Sequence, residues 1–161
     1  MAERRGQHPV WYLIGCVGLL ILSVPCLGMG AALAIPGFVS YARRAKAAEA
    51  RTHLGALRQG VEAECVSGGR MPAALGPTLA MPGPEEQVPT LDPRWTALGL
   101  TPEPMRYAYA IERPGDAVLL VVAEGDLDGD GVRSRFSVTC VRGTTTAGCS
   151  CGELTVTDEL E

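Results

Sequence analysis

The sequence predicts an α+β protein: a long N-terminal transmembrane and amphipathic helix packed on a small antiparallel sheet. Three observations carry this. Residues 10–35 run for 26 positions without Asp, Glu, Lys or Arg, whereas a helix crosses a hydrocarbon core with roughly 20 apolar residues. Ala47, Ala50, Leu54, Leu57 and Val61 then recur at alternating spacings of three and four, which is one stripe of a helix. Beyond residue 100, short runs rich in β-branched and aromatic residues alternate with Gly, Pro and Asp, the pattern of strands joined by tight turns. The expected domains are a cytoplasmic leader over 1–9, a transmembrane helix over 10–35, an amphipathic stem helix over 36–65 and an antiparallel β head over 66–161.

The leader places Arg4 and Arg5 just ahead of the apolar run, like the charged start of a signal sequence. Two cleavage patterns compete with retention. Ala32, Leu33 and Ala34 have the small-x-small form of a signal-peptidase site, but the apolar region before them is long for a secretory signal. Leu13, Ile14, Gly15 and Cys16 have the form of a lipoprotein box, but the apolar run continues well past Cys16, which a lipid anchor does not need. An uncleaved anchor, with the chain starting at or near Met1, is therefore expected. Pro25, Gly28 and Gly30 interrupt the span, and Pro36 with Gly37 repeats the break; a helix-interior Pro forfeits one backbone hydrogen bond. The rod is expected to curve or loosen at Pro25 and Pro36.

The stem is basic and the C-terminal third acidic. Residues 37–70 carry six basic side chains against three acidic, and residues 111–161 carry ten acidic against four basic. No basic patch interleaved with aromatics occurs, so nucleic acid is not an expected partner. The gradient suits contact between copies of the chain. Counted alone, Arg43, Arg44, Lys46 and Arg51 after the span outweigh Arg4 and Arg5 before it, which would put the head in the cytoplasm. The cysteines argue the other way. Cys16 and Cys26 lie in the apolar run, where a thiol behaves as a small hydrophobe. Cys65, Cys140, Cys149 and Cys151 form an even set in the head, the usage of an oxidising compartment. Cys65 continues the helical stripe, so its thiol faces the head; one bridge is expected from it to Cys149 or Cys151, and a second from Cys140. Zinc is the rival, disfavoured by the tight spacing of Cys149 and Cys151.

Residues 66–90 are dense in Gly and Pro without sustained period, an irregular link. Residues 95–100 read as a short turn, and 106–112, 117–123, 133–141 and 153–157 as four strands of a meander, its apolar face laid on Leu54, Leu57 and Val61. Asp126, Asp128 and Asp130 alternate with Leu127, Gly129 and Gly131 at the turn between the second and third strands. Hard cations want several oxygens from one tight turn, so calcium is a candidate, with backbone carbonyls or Glu124 completing the shell. An EF-hand would require Glu at the place of Ser137; the plain alternative is an acidic hairpin turn. His8 and His53 are the two histidines, expected as solvated side chains. No nucleophile–base pair can be assembled and no small-molecule substrate is evident, so the chain is not expected to be an enzyme.

The stretch AIPGF at 34–38, followed by YARRAKAAEART at 41–52, resembles the stem of type IV pilins and type II secretion pseudopilins. DPRWTALGL at 92–100, RYAY at 106–109 and GDLDGDG at 125–131 resemble the heads of pilin-like proteins. The resemblance covers about 36–140 and rests on the order of the motifs. It implies a structural or accessory subunit at the bacterial inner membrane, single-pass, with its C-terminal head in the periplasm or on the cell surface. Partners would be the membrane and other pilin-like subunits or secretion and pilus machinery. Such proteins carry a Gly-Phe cleavage site and a Glu about seventeen residues ahead of that Pro. Here Leu19 stands at the Glu place and no Gly-Phe pair precedes it, which implies a minor subunit, or a membrane-anchored binding module that does not polymerise.

Overall fold

The computed structural model describes residues 8–143 and 148–159, without the side chains of 8, 9, 22, 25–27, 30, 31 and 33. The elements are α1 (His8–Gly68), α2 (Pro93–Ala97), β1 (Ala108–Gly115), β2 (Val118–Gly125), β3 (Ser134–Arg142) and β4 (Cys149–Thr157). The chain is α+β, with one antiparallel sheet in the order β1-β2-β3-β4. Packing divides it into two compact units, Met1–Tyr41 and Ala42–Glu161.

The first unit corrects the sequence expectation. Among the described residues no helix is long and apolar enough to cross a membrane, so the transmembrane helix expected over 10–35 is overturned. The expected domain limit at 35/36 falls inside α1, which is one helix from His8 to Gly68. Pro25 and Pro36 both lie inside α1 and neither ends it. The Ser40 hydroxyl donates to the Pro36 carbonyl at 3.0 Å. Of the leader, residues 1–7 lie outside the described residues, as do the side chains of Pro25 and Cys26.

The second unit is built on the α1 stripe. Ala47, Ala50, Leu54, Leu57, Val61 and Cys65 are all buried. They share one core with Tyr107, Tyr109 and Ile111 beside and in β1, Leu119, Val121 and Ala123 of β2, and Phe136, Val138 and Cys140 of β3. These strand residues alternate, and the register sets Tyr109 against Ala123, Ala123 against Phe136, and Val121 against Val138, so one face of the sheet carries the core. The outer face is polar: Arg135 pairs with both Glu124 and Glu112 across three strands.

The ends of α1 and of the sheet are closed by specific devices. Gly69 takes a φ of +65° and donates its N–H to the Cys65 carbonyl at 3.0 Å, a left-handed helix cap that glycine adopts without a Cβ penalty. The irregular link therefore starts later than 66, and it is not featureless. Leu75 and Ile111 exchange two backbone bonds at 3.0 Å, and Thr78 N–H donates to Tyr109 O at 2.9 Å. The link so covers the outer edge of β1, which would otherwise expose unpaired backbone groups. The expected turn at 95–100 is a one-turn helix, α2, opened by Asp92 as N-cap with Pro93 in its first turn. A Cβ on Gly60 would lie 2.1 Å from the Leu98 carbonyl oxygen, so the backbone at the end of α2 rests directly on α1. The strands differ from expectation by one to three residues at their ends, except β4, which begins at Cys149 rather than 153 because it pairs early with β3, Arg142 opposite Cys149.

Candidate functional site

Four features of the chain have the chemistry to do something: the surface of the first unit and, in the second unit, the acidic loop, the junction of α1 with the sheet, and a groove beside α2.

The first unit is a helix whose large apolar side chains face outward. Trp11, Leu13, Ile14, Leu19, Leu20, Ile21, Met29, Ile35 and Phe38 are each more than half exposed. At 100° per residue, Leu19, Leu20 and Ile21 alone point in three directions, so no polar face opposes an apolar one. A helix apolar all round is one that is covered all round when it works. Cys16 lies exposed on the same surface as a free thiol.

In the acidic loop, Asp126, Asp128 and Asp130 are brought together: one carboxylate oxygen from each lies within 4.8 Å of the others. Much of their capacity serves the loop itself. Asp126 accepts the N–H of Gly129 at 2.6 Å and of Gly131 at 3.0 Å, and Asp130 accepts that of Val132 at 2.7 Å. Gly129 and Gly131 take positive φ values of +78° and +92°, which lets the turn wrap around Asp126. Asp128 is paired with the Arg43 guanidinium at 3.0 Å. Three hard carboxylate oxygens fit calcium by type, but that ion takes six to eight oxygens. Glu124 is not offered as a further ligand, since it pairs with Arg133 and Arg135.

The helix–sheet junction is where the expected cysteines fall. Cys65 bridges to Cys149, and Cys140 to Cys151; all four expected thiols pair, and the choice left open for Cys65 resolves to Cys149. Because Cys149 and Cys151 are two apart on a strand, both point to the α1 side. The same helix and sheet also meet through three contacts that residue patterning missed. The Glu49 carboxylate accepts the backbone N–H of Arg106 at 2.8 Å and of Tyr107 at 3.3 Å. Glu62 accepts the N–H of Cys151 at 3.1 Å. His53 is not a solvated side chain: its Nδ1 and the Tyr109 hydroxyl share a hydrogen bond of 2.9 Å, with the rings edge to face. Burial pushes the Tyr109 and Tyr107 hydroxyls above the ordinary phenol range. All three of Glu49, His53 and Glu62 flank the buried stripe by one position, the only local signal they give. His8 has no described side chain.

A groove of about 430 Å³ opens beside α2, lined by Gly60, Ala63, Glu64, Leu75, Arg94 and Leu98 among others. Arg94 is committed to Asp92, accepted by both carboxylate oxygens at 3.0 and 2.7 Å. That side-chain hydrogen bond, with the backbone N–H of Arg94, holds the Asp92 carboxyl down at about 2.

No protein-family model, no curated protein and no solved structure matches the chain.

Proposed function

We propose that the chain is a structural subunit of a pilin-like assembly, a minor or accessory member of a type IV filament or a type II secretion system at the bacterial envelope. The observation that carries this reading is the exposed apolar helix of the first unit. Side-by-side packing with the apolar helices of other pilin-like subunits would cover it on every side. The two disulfides indicate an oxidising, non-cytoplasmic compartment, in keeping with a head working outside the cytoplasm. The order of stem and head motifs over about 36–140 supports the same family. Photo-crosslinking from position Leu20 in the native host tests it. Crosslinks to the apolar helices of other pilin-like proteins are expected; a chain that crosslinks to none of them overturns the reading.

A binding module that does not polymerise is the second reading, favoured by the groove beside α2 and by Leu19 at the place of the Glu. In either reading Asp126, Asp128 and Asp130 would be the calcium ligands, with Arg43 released from Asp128. Millimolar calcium should then raise the melting temperature, and Asp128→Ala should remove that rise. An unchanged melting curve returns the loop to a turn held by its own backbone donors and Arg43.

A further inference from the structure

A second, smaller cavity of about 80 Å³ lies at the C-terminal end of α1. A single water needs roughly 10–15 Å³ of such space, so there is room for a small polyatomic ligand. Its walls carry two arginines, Arg70 just past the left-handed cap at Gly69, and Arg142 at the end of β3. Neither guanidinium has an acidic partner among the described residues. The C-terminal end of α1 adds a partial negative charge of about half an elementary charge. Two arginines therefore line one cavity without an ion-pair partner among the described residues.

The rest of the wall is Cys65, Met71 and three glycines, Gly69, Gly143 and Gly148; the glycines add no side chain of their own between a ligand and the main chain. The frame is fixed. Cys65 and Cys149 are joined, tying the end of α1 to the start of β4. Arg142 N–H donates to Ala117 O, and Gly143 N–H to Gly148 O, both at 2.9 Å. A guanidinium offers a planar fork of donors suited to carboxylate or phosphate oxygens.

We propose that Arg70 and Arg142 form a binding site for a small oxyanion, a phosphate or a carboxylate group, at the disulfide-tied junction of α1 and β4. The proposal is independent of the assembly reading. It is tested on the full chain with inorganic phosphate or acetate replacing chloride at constant ionic strength. At ten times its dissociation constant the bound anion should raise the melting temperature by about 3–6 °C. Arg70→Gln and Arg142→Gln should each abolish most of the rise, and phosphorus-31 line broadening in the native protein should disappear in the same variants. Both side chains are exposed, so circular dichroism is expected to show both variants folded. A rise with phosphate alone assigns a tetrahedral dianion, and a rise with acetate as well assigns a carboxylate group. The proposal falls if neither anion shifts the melting curve beyond chloride, or if both variants respond as the parent does.

Discussion

Gly60, Gly125 and Gly55 make a matched set in which one added methyl group meets three different surroundings. At Gly60 the new Cβ would stand 2.1 Å from Leu98 O and 2.7 Å from its carbonyl carbon, all main chain. At Gly125 it would stand 2.5 Å from the Tyr107 ring, which is fully buried, edge-on to Phe136 and hydrogen-bonded to Ser134. At Gly55, in the same helix as Gly60, it would meet nothing within 4 Å. Helix propensity favours Ala over Gly by about 1 kcal/mol, so Gly55→Ala should stabilise by roughly that amount. Overpacking costs about 1–3 kcal/mol, so Gly125→Ala should destabilise. Gly60→Ala should destabilise despite its propensity gain, because α2 must move bodily to admit it. Urea midpoints in the order Gly55→Ala, parent, then the other two are expected; a Gly60→Ala midpoint at or above the parent's would refute the α1–α2 contact. None of this was legible in the sequence. The facing residue of Gly60 is 38 positions away, and that of Glu49 is 57; such approaches leave no local pattern. Cys65 was legible, because its partner's direction follows from helical spacing alone.

Among the elements, the strands and the stem stripe could be seen in advance because their periods of 2 and 3.6 are local properties. The boundaries could not. The start of β4 at Cys149 depends on pairing with β3, and the end of α1 at Gly68 depends on the cap at Gly69. The two disulfides act on these elements unequally. Cys65–Cys149 closes a separation of 84 residues and joins α1 to β4, whereas Cys140–Cys151 closes 11 and joins neighbouring strands already in register. Loop-closure entropy of the unfolded chain then assigns about 4–5 kcal/mol to the first and about 3 kcal/mol to the second. The double variant Cys65→Ala/Cys149→Ala should lose more stability in guanidinium unfolding than Cys140→Ala/Cys151→Ala. Equal losses would show that β4 is held by its ladder and not by its tie to α1. The transmembrane expectation failed at this same scale, because among the described residues no helix is long and apolar enough to cross a membrane.

At the scale of the whole molecule, the chain joins an uncovered apolar helix to a head whose charges are largely matched within itself, as Arg106 is by Glu49 and Glu86 and Arg135 by Glu112 and Glu124. Association in the proposed assembly would therefore run through the first unit, and the residue at position 19 sets its terms. In the assembly proposed above, the other pilin-like subunits would carry a Glu at that place, paired with the terminal amine of a neighbouring stem. Here Leu19 is 70% exposed and offers no oxygen. A neighbour packed against it would bury an amine without its carboxylate, at a cost of several kcal/mol, and repeating that cost along a fibre would exclude the chain from most positions. A single terminal position carries no such demand. The chain is accordingly expected at low copy in isolated fibres, by quantitative mass spectrometry of fibres from the native host, and Leu19→Glu is expected to raise its share. Fibres in which the parent chain is the dominant protein would show that the packing of the apolar helix needs no such pair.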